Sequence, residues 1–252
     1  MSNLSISTPV DGVIMIKIDA PPANALNHDT RSHIISALAL IEEDVNIRAL
    51  IITGSGKGFC AGDDLKEARQ RALGSKSLAQ FGKMLNTIES LRVPVIGAIN
   101  GHAIGGGLEL ALCCDIRIAS KNAWFLGAGV NVGLMASVYR LPRLIGIGPA
   151  KAMLLTGTKT DAETALRYGL VTGLYEKESL TNEAIKLATR LATRAPLSVE
   201  ASKRLIAQAF DLNPEEADRA AGKELKILSS SADHKAALKA FGEKRDPKFS
   251  RS

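Results

Sequence analysis

Two glycine-rich segments of the sequence could present backbone N–H groups to one ligand. Residues 58–63 read GFCAGD and residues 105–109 read GGGLE, and each segment follows an apolar, strand-like run. A carbonyl oxygen placed between the N–H groups of Ala61 and Gly106 would accept two hydrogen bonds, which stabilise negative charge developing on that oxygen. Glu109 would place a carboxylate within one helical turn of the same oxygen. The two segments together predict a site for proton transfer beside a polarised carbonyl group.

The first two-thirds of the chain alternates between strand-like and helix-like stretches. Val13–Ile18 is short and rich in β-branched residues, and residues 49–53 form an almost wholly apolar run typical of strands buried on both faces. Between them, Asn27 or Asp29 could cap a helix that continues to about Glu43. This alternation predicts an α/β fold with parallel strands.

From about residue 149 the pattern becomes helical. One of these helices carries an apolar stripe at helical spacing, formed by Ala217, Ala221, Leu225 and Leu228. Such a stripe indicates packing against the core or against another subunit. No low-complexity linker interrupts the chain. We therefore predict an α/β core over residues 1–195 and a helical C-terminal region over residues 196–252.

Composition narrows the class of protein. The chain has 252 residues, of which 46% are hydrophobic and 23% charged, as is usual for a globular protein. No apolar run approaches the roughly 20 residues of a membrane helix, and the first residues lack the pattern of a secretory signal. The cysteines are only three, Cys60, Cys113 and Cys114, and two of them are adjacent, so a disulfide framework or a metal cage is not expected. We expect a cytoplasmic protein without a bound metal.

The formal net charge of +6 suggests an anionic partner, either nucleic acid or a phosphorylated small molecule. Aromatic residues make up only 4% of the chain, so stacking platforms for single-stranded RNA are scarce. This scarcity argues against nucleic acid as the partner without excluding it, and both classes of partner stay open at this point. The excess of basic residues lies near the end of the chain, at Lys235, Lys239, Lys244, Arg245, Lys248 and Arg251. These residues form either a solvated tail or part of a phosphate site.

Residues 51–65 and 93–111 resemble the two signature segments of the crotonase family, also called the enoyl-CoA hydratase/isomerase family. The resemblance extends in the same order and spacing to four further segments, at residues 114–119, 154–157, 165–171 and 240–249. It therefore covers nearly the whole chain.

The resemblance implies a spiral of ββα turns with a helical C-terminal region that assembles the chain into a trimer or a dimer of trimers. It implies a coenzyme A thioester as substrate, with no separate cofactor, and a thioester oxygen bound by Ala61 and Gly106. The basic C-terminal segment would lie near the nucleotide end of coenzyme A. The residues that would contact the thioester or its coenzyme are Ala61, Gly62, Asp63, Asp64, Leu65, Gly106 and Lys244.

Glu109 matches the first of the two glutamates that share acid–base work in the hydratases of this family. The second glutamate is missing, because Gly129 occupies its position and Ala128 that of the preceding proline. Downstream, residues 136–141 replace a longer glycine-rich segment of the family. The sequence therefore predicts a different roof over the acyl group.

Three interpretations remain open at this point. Glu109 could act as the single acid and base of an isomerase or of a slow hydratase. Another group could replace the second glutamate, the candidates being Asp63, Asp64, Asn131, Tyr139 and His102. The protein could also bind acyl-CoA with little or no turnover. An RNA-binding member of the family is a further, less favoured alternative.

Overall fold

The computed structural model describes residues 3–64, 67 and 75–252, and the fold is organised around two parallel or mixed sheets. The strands in this part of the chain are β1 (Leu4–Val10), β2 (Val13–Ile18), β3 (Ala25–Leu26), β4 (Ala49–Gly54), β5 (Gly58–Cys60), β6 (Gly62–Asp63), β7 (Val95–Ile99), β8 (His102–Ile104), β9 (Ile116–Ser120), β10 (Trp124–Leu126), β11 (Thr160–Asp161) and β12 (Leu174–Tyr175).

Helices follow the strands and dominate the C-terminal part. Those within the described residues are α1 (His28–Glu43), α2 (Ser75–Ser90), α3 (Gly106–Leu112), α4 (Arg140–Ile145), α5 (Ile147–Thr156), α6 (Ala162–Arg167), α7 (Lys177–Ala192), α8 (Pro196–Ala207), α9 (Pro214–Ser230) and α10 (Ala232–Gly242). A short 3-10 helix spans Ala128–Val132. None of the helices in the described ranges is long and apolar enough to span a membrane.

The larger sheet has the strand order β1-β2-β4-β7-β9-β12, and all neighbours except β1 and β2 run parallel. Every residue of β4 and of β7 is buried, as expected for central strands covered on both faces. The smaller sheet has the order β11-β10-β8-β5. The chain passes from the larger sheet to the smaller one three times, from β4 to β5, from β7 to β8 and from β9 to β10. This repetition is the predicted ββα spiral, and the fold prediction is confirmed.

The two faces of the larger sheet pack against different layers. Ile51 points to the face covered by α7, where it joins Leu180 and Ala184. Leu50 and Ile52 belong to the larger cluster on the opposite face, which contains the buried side chains of α1 and α3. Successive side chains of β4 point to opposite faces of the sheet, so this one strand contributes to the hydrophobic cores on both faces.

Helix α1 begins and ends as the sequence predicts. Asn27 is its N-cap, and the Asn27 side chain accepts a hydrogen bond from the Thr30 N–H at 2.8 Å. Ile34 and Leu38 lie on its buried face, whereas Ile35 is only partly buried. The capping residue and the apolar spacing are therefore sufficient to define this helix.

The C-terminal tail folds back onto the core. The Asp233 carboxylate accepts hydrogen bonds from the Ser250 N–H at 2.7 Å and the Arg251 N–H at 3.1 Å. Arg251 in turn pairs with Glu200 at 2.9 and 3.0 Å, and Glu200 also lies 3.2 Å from Arg92. In contrast, no residue of α9 is buried within the described chain. A role for residues 196–252 in trimer assembly agrees with this exposure and stays a prediction.

Glu200 should contribute to stability in a pH-dependent way. Burial alone would raise the pKa of Glu200, but hydrogen bonds from Arg251 and Arg92 and their positive charges hold that pKa below its ordinary value. A carboxyl group with a lowered folded-state pKa stabilises the fold above its unfolded pKa of about 4.3 and loses that contribution as the pH falls through the folded-state value.

We expect Glu200→Gln to lower the free energy of unfolding by about 3 kcal/mol at pH 7, because two arginines lose their carboxylate. Urea unfolding of both proteins from pH 7 to pH 3 measures this, and the difference should shrink below about pH 4. Glu176→Gln is the control, since Glu176 forms an exposed pair with Lys121. Equal unfolding midpoints for Glu200→Gln and wild type at pH 7 would contradict the assignment.

Candidate active site

The two glycine-rich segments meet, as the sequence predicts. A Cβ atom built on Gly62 would lie 2.7 Å from the Gly106 nitrogen, and one built on Gly107 would lie 2.0 Å from the Cys60 carbonyl oxygen. Gly62 also has a φ of +87°, which disfavours any other residue. Only glycine therefore allows the N-terminus of α3 to contact β5 and β6 this closely.

The backbone donors differ from the predicted pair. The Ala61 N–H donates to the Ala23 carbonyl at 3.0 Å, so it is already engaged within the chain. This bond contradicts the predicted use of the Ala61 N–H in binding a carbonyl oxygen. The Asp63 nitrogen, in contrast, lies 3.3 Å from the position of a Cβ on Gly106. Gly106 is the first residue of α3, where N–H groups lack partners within the helix.

Glu109 lies inside the protein on the first turn of α3 and is only 8% exposed. One carboxylate oxygen accepts a hydrogen bond from the Ser137 N–H, and the other lies 3.4 Å from the Arg140 guanidinium. A buried carboxylate needs such compensation, because an unpaired charge is costly away from water. The structure therefore gives Glu109 a cation and an N–H as partners in place of a second carboxylate.

Arg140 connects three helices at this point. From the start of α4 its guanidinium donates to Glu89 at 2.8 Å and to Asn86 at 3.1 Å, both on α2, in addition to its contact with Glu109 on α3. Burial alone would lower the pKa of Arg140, but the hydrogen bond and charge of Glu89 raise it above its ordinary value. Arg140 is thus a permanent positive charge beside Glu109.

Sequence reasoning did not identify Arg140 as a residue of the site. Arg140 is 31 positions from Glu109, and its place in the replaced segment 136–141 gives no direct sign of contact. The available signal is indirect: a glutamate inside the apolar helix 106–112 requires a cationic partner somewhere in the fold.

The space beside Gly129 is filled by the backbone of residues 134–136. A Cβ on Gly129 would be 3.0 Å from both the Ala136 nitrogen and the Leu134 carbonyl oxygen. The Leu134 N–H also donates to the Gly129 carbonyl at 2.8 Å. Residues 134–139, which we call the roof segment, therefore close over this position and leave little room for a longer side chain.

The two aspartates proposed as substitutes have other partners. Asp63 forms an ion pair with the fully buried Arg31, and Asp64 accepts a hydrogen bond from the Glu67 N–H at 3.3 Å. The Asp63 carboxylate thus serves to balance a buried guanidinium. The Asp63 backbone, in contrast, remains beside Gly106.

The three remaining candidates make contacts with residues other than Glu109. The Asn131 side chain donates to the Gly157 carbonyl at 2.9 Å, and the Tyr139 ring lies under the Arg143 guanidinium at 4.8 Å. The His102 ring stacks obliquely against Trp124, with 5.7 Å between ring centroids. These contacts give each residue a structural explanation.

A cleft of about 490 Å³ adjoins β6 and contains three of the residues predicted to contact coenzyme A. Its walls are formed by Asn3, Ala20, Pro21, Pro22, Ala23, Ala25, Asn27, Ala61, Asp63 and Asp64. Leu65 lies outside the described residues. Lys244 is exposed two residues after the end of α10, and its assignment to the nucleotide end stays a prediction. A larger groove of about 700 Å³ lies between α8 and residues 112–117, and the described residues lining it include none of the predicted site residues.

The cysteine beside this site is not a candidate nucleophile. Burial raises the pKa of Cys60 to about 12, so its thiol is protonated at neutral pH. Cys113 and Cys114 are also buried free thiols. Within residues 3–64, 67 and 75–252, no group of three or more histidine, cysteine, aspartate or glutamate residues could hold a metal ion.

A two-sheet spiral with a buried glutamate at the start of a helix beside a glycine-rich strand defines the crotonase class. The chain belongs to the enoyl-CoA hydratase/isomerase family, whose model matches residues 9–252. It is 38% identical to the crotonyl-CoA hydratase of Syntrophomonas wolfei over 93% of each chain. It is 37% identical to the short-chain-enoyl-CoA hydratase of Clostridium acetobutylicum over 92% of each chain. The crystal structure of an enoyl-CoA hydratase from Bacillus anthracis superimposes with a TM-score of 0.95 at 32% identity, covering 99% of this chain and 100% of that chain.

We expect that replacing Gly129 by glutamate destabilises the protein and does not restore the missing second glutamate. Gly129→Ala should lower the free energy of unfolding by about 1–3 kcal/mol, because its Cβ would press on the backbone of the roof segment. Gly129→Glu should lower it at least as much and should not raise hydration of crotonyl-CoA. Urea unfolding and an absorbance assay of hydration measure the two effects.

Gly222→Ala is the matched control, since no described atom lies within 4 Å of a Cβ at that position and alanine favours a helix interior. A Gly129→Glu protein as stable as wild type with faster hydration would contradict the closed position that the structure shows.

Proposed function

We propose that this protein hydrates the C2–C3 double bond of 2-enoyl-CoA thioesters, with Glu109 as its single acid and base. The observation that carries the proposal is the position of Glu109, a buried carboxylate one helical turn after Gly106. Names of relatives support the substrate class, since two are a crotonyl-CoA hydratase and a short-chain-enoyl-CoA hydratase.

The thioester oxygen would be bound by the N–H groups of Gly106 and Asp63. This pair replaces the Ala61–Gly106 pair predicted from sequence, because the Ala61 N–H already donates to Ala23. The closeness of the Asp63 nitrogen to Gly106 supports the assignment. The cleft beside Asp63 and Asp64 would hold the coenzyme part of the substrate, and it opens on the same strand.

Hydration then follows from the chemistry of an unsaturated thioester. Water adds its oxygen to C3 while one of its protons passes to the Glu109 carboxylate. The electron pair of the double bond moves toward the thioester oxygen, where two N–H groups stabilise the negative charge. The protonated Glu109 then donates that proton to C2. The carboxylate is regenerated, and the product is the 3-hydroxyacyl thioester.

Arg140 and the Ser137 N–H would hold the Glu109 carboxylate in one orientation during these transfers. Both contacts fix the side chain, and the guanidinium balances its charge. A fixed carboxylate transfers protons more efficiently, because the donor and acceptor atoms are already aligned.

Migration of the double bond is the second candidate reaction. It requires proton transfer between carbon atoms and no water, so one carboxylate is sufficient. The glycine at position 129 favours it, since the backbone of the roof segment leaves little room there for a second carboxylate. Both candidates use the same Gly106, Asp63 and Glu109 groups, and they differ in the product formed.

Glu109→Gln should reduce turnover by about 10²–10⁴-fold, the usual contribution of a general acid–base group. Glutamine keeps the size and the acceptor oxygen of glutamate, so binding of acyl-CoA should change little. Hydration and double-bond migration are measured on a panel of 2- and 3-enoyl-CoA thioesters, and binding of butyryl-CoA by calorimetry. If wild type binds these thioesters but converts none, the protein is an acyl-CoA-binding protein and not an enzyme of this class.

Gly106→Pro tests the backbone donor directly. Proline lacks the N–H but is well tolerated at the first residue of a helix. We expect kcat to fall about 10²–10³-fold further than in Gly106→Ala. Gly106→Ala is the matched control, because it adds the same Cβ, 2.9 Å from the Phe81 ring, and keeps the N–H. Equal kcat values for the two variants would show that the Gly106 N–H does not bind the thioester oxygen.

A further inference from the structure

Ser137 combines two unfavourable features at a position that contacts Glu109. Its backbone has a φ of +60°, in the left-handed region that favours glycine. The residue is 4% exposed, and its hydroxyl oxygen is buried without a hydrogen-bond partner among the described residues. At the same time, its N–H donates to the Glu109 carboxylate. Strain and an unsatisfied polar group thus occur together beside the candidate base.

Neither feature is explained by the fold. The Ser137 hydroxyl forms no hydrogen bond within the described chain, so it does not hold the roof segment in place. Glycine would adopt the same backbone angle without strain and would remove the buried hydroxyl. Unpaired buried polar groups are rare in native proteins, and residues with strained backbone are concentrated at functional sites. A ligand that pairs with the hydroxyl accounts for the unsatisfied polar group, and the bond from the Ser137 N–H to Glu109 gives the strained backbone a role in the site.

The other polar side chains around the roof are already committed. Asn131 bonds to the Gly157 carbonyl, Tyr139 lies under Arg143, and Arg140 pairs with Glu89 and Glu109. Among these described residues, Ser137 therefore supplies the hydroxyl that is both buried and without a hydrogen-bond partner. The backbone of its neighbour Ala136 lies against Gly129, so Ser137 directly follows in the chain the segment that closes the position of the missing second glutamate.

We infer that the Ser137 hydroxyl binds the oxygen atom that is added to C3 of the thioester. This inference rests on the proposed function and assigns a residue to it. In the hydration direction the oxygen is that of water, and in the reverse direction it is the 3-hydroxyl group of the product. A serine hydroxyl can donate and accept, so it can hold either oxygen while Glu109 takes the proton. Ser137 keeps its own proton throughout.

Two variants separate the hydroxyl from the backbone strain. Ser137→Ala removes the hydroxyl and keeps the strained backbone angle, whereas Ser137→Gly removes both. Binding of 3-hydroxybutyryl-CoA and of butyryl-CoA is measured by calorimetry for wild type and both variants, because these probes differ only in the 3-hydroxyl group. Hydration of crotonyl-CoA and thermal unfolding are measured on the same proteins.

We expect wild type to bind 3-hydroxybutyryl-CoA about three- to tenfold more tightly than butyryl-CoA, and both variants to lose this preference. Affinity for butyryl-CoA should stay unchanged, and kcat for hydration should fall about tenfold in both. Ser137→Gly should unfold at a higher temperature than wild type. A purely structural serine would give the opposite result, with lower unfolding temperatures and an unchanged preference between the two probes.

The outcomes separate this inference from the proposed function. If wild type binds both probes and the variants keep the same preference between them, the inference is overturned and the function stands. If wild type binds both probes equally, the hydroxyl does not recognise the 3-oxygen, and the inference also fails. If neither probe binds to wild type, the proposed function fails together with the inference.

Discussion

The contact between the start of α3 and the strands β5 and β6 determines the rest of the site. A Cβ on Gly107 would be 2.0 Å from the Cys60 carbonyl, so any other residue would push the helix away from the strand. That contact puts the Gly106 nitrogen beside β6 and, one turn further, Glu109 beneath the roof segment. The parallel strands behind it are buried on both faces and hold the two segments in register. The Gly106 N–H and the Glu109 carboxylate are therefore both positioned by this one contact between α3 and the strands β5 and β6.

The second constraint is that each buried or partly buried carboxylate at this contact needs a partner for its charge. Glu109 is buried, and Arg140 and the Ser137 N–H compensate its charge. Asp63 is bound to the buried Arg31, which holds the end of β6 against α1. Each carboxylate near the site thus has a definite partner. Ser137, which also contacts Glu109, has a buried hydroxyl without a partner among the described residues, and a neutral hydroxyl costs less to leave unpaired than a charge does.

Features of the fold that arise from local sequence were predictable. The Asn27 cap, the buried run of β4 and the glycine-to-glutamate segment of α3 follow from spacing and residue type alone. Contacts between distant segments were not predictable in this way. The bond from Ala61 to Ala23 and the contact between Arg140 and Glu109 depend on how loops return to the core. For that reason the predicted helix with Glu109 is confirmed. The predicted use of the Ala61 N–H as a donor is wrong, and Arg140 is not identified from the sequence.

The triple attachment of Arg140 also makes the site sensitive to the position of α2. Glu89 on that helix and Glu109 on α3 compete for one guanidinium, at 2.8 and 3.4 Å. A small displacement of α2 toward or away from the roof would change how the cation is shared between the two carboxylates. The charge balance of the site is therefore not a local property of α3. It is coupled mechanically to a helix that lies on another turn of the spiral.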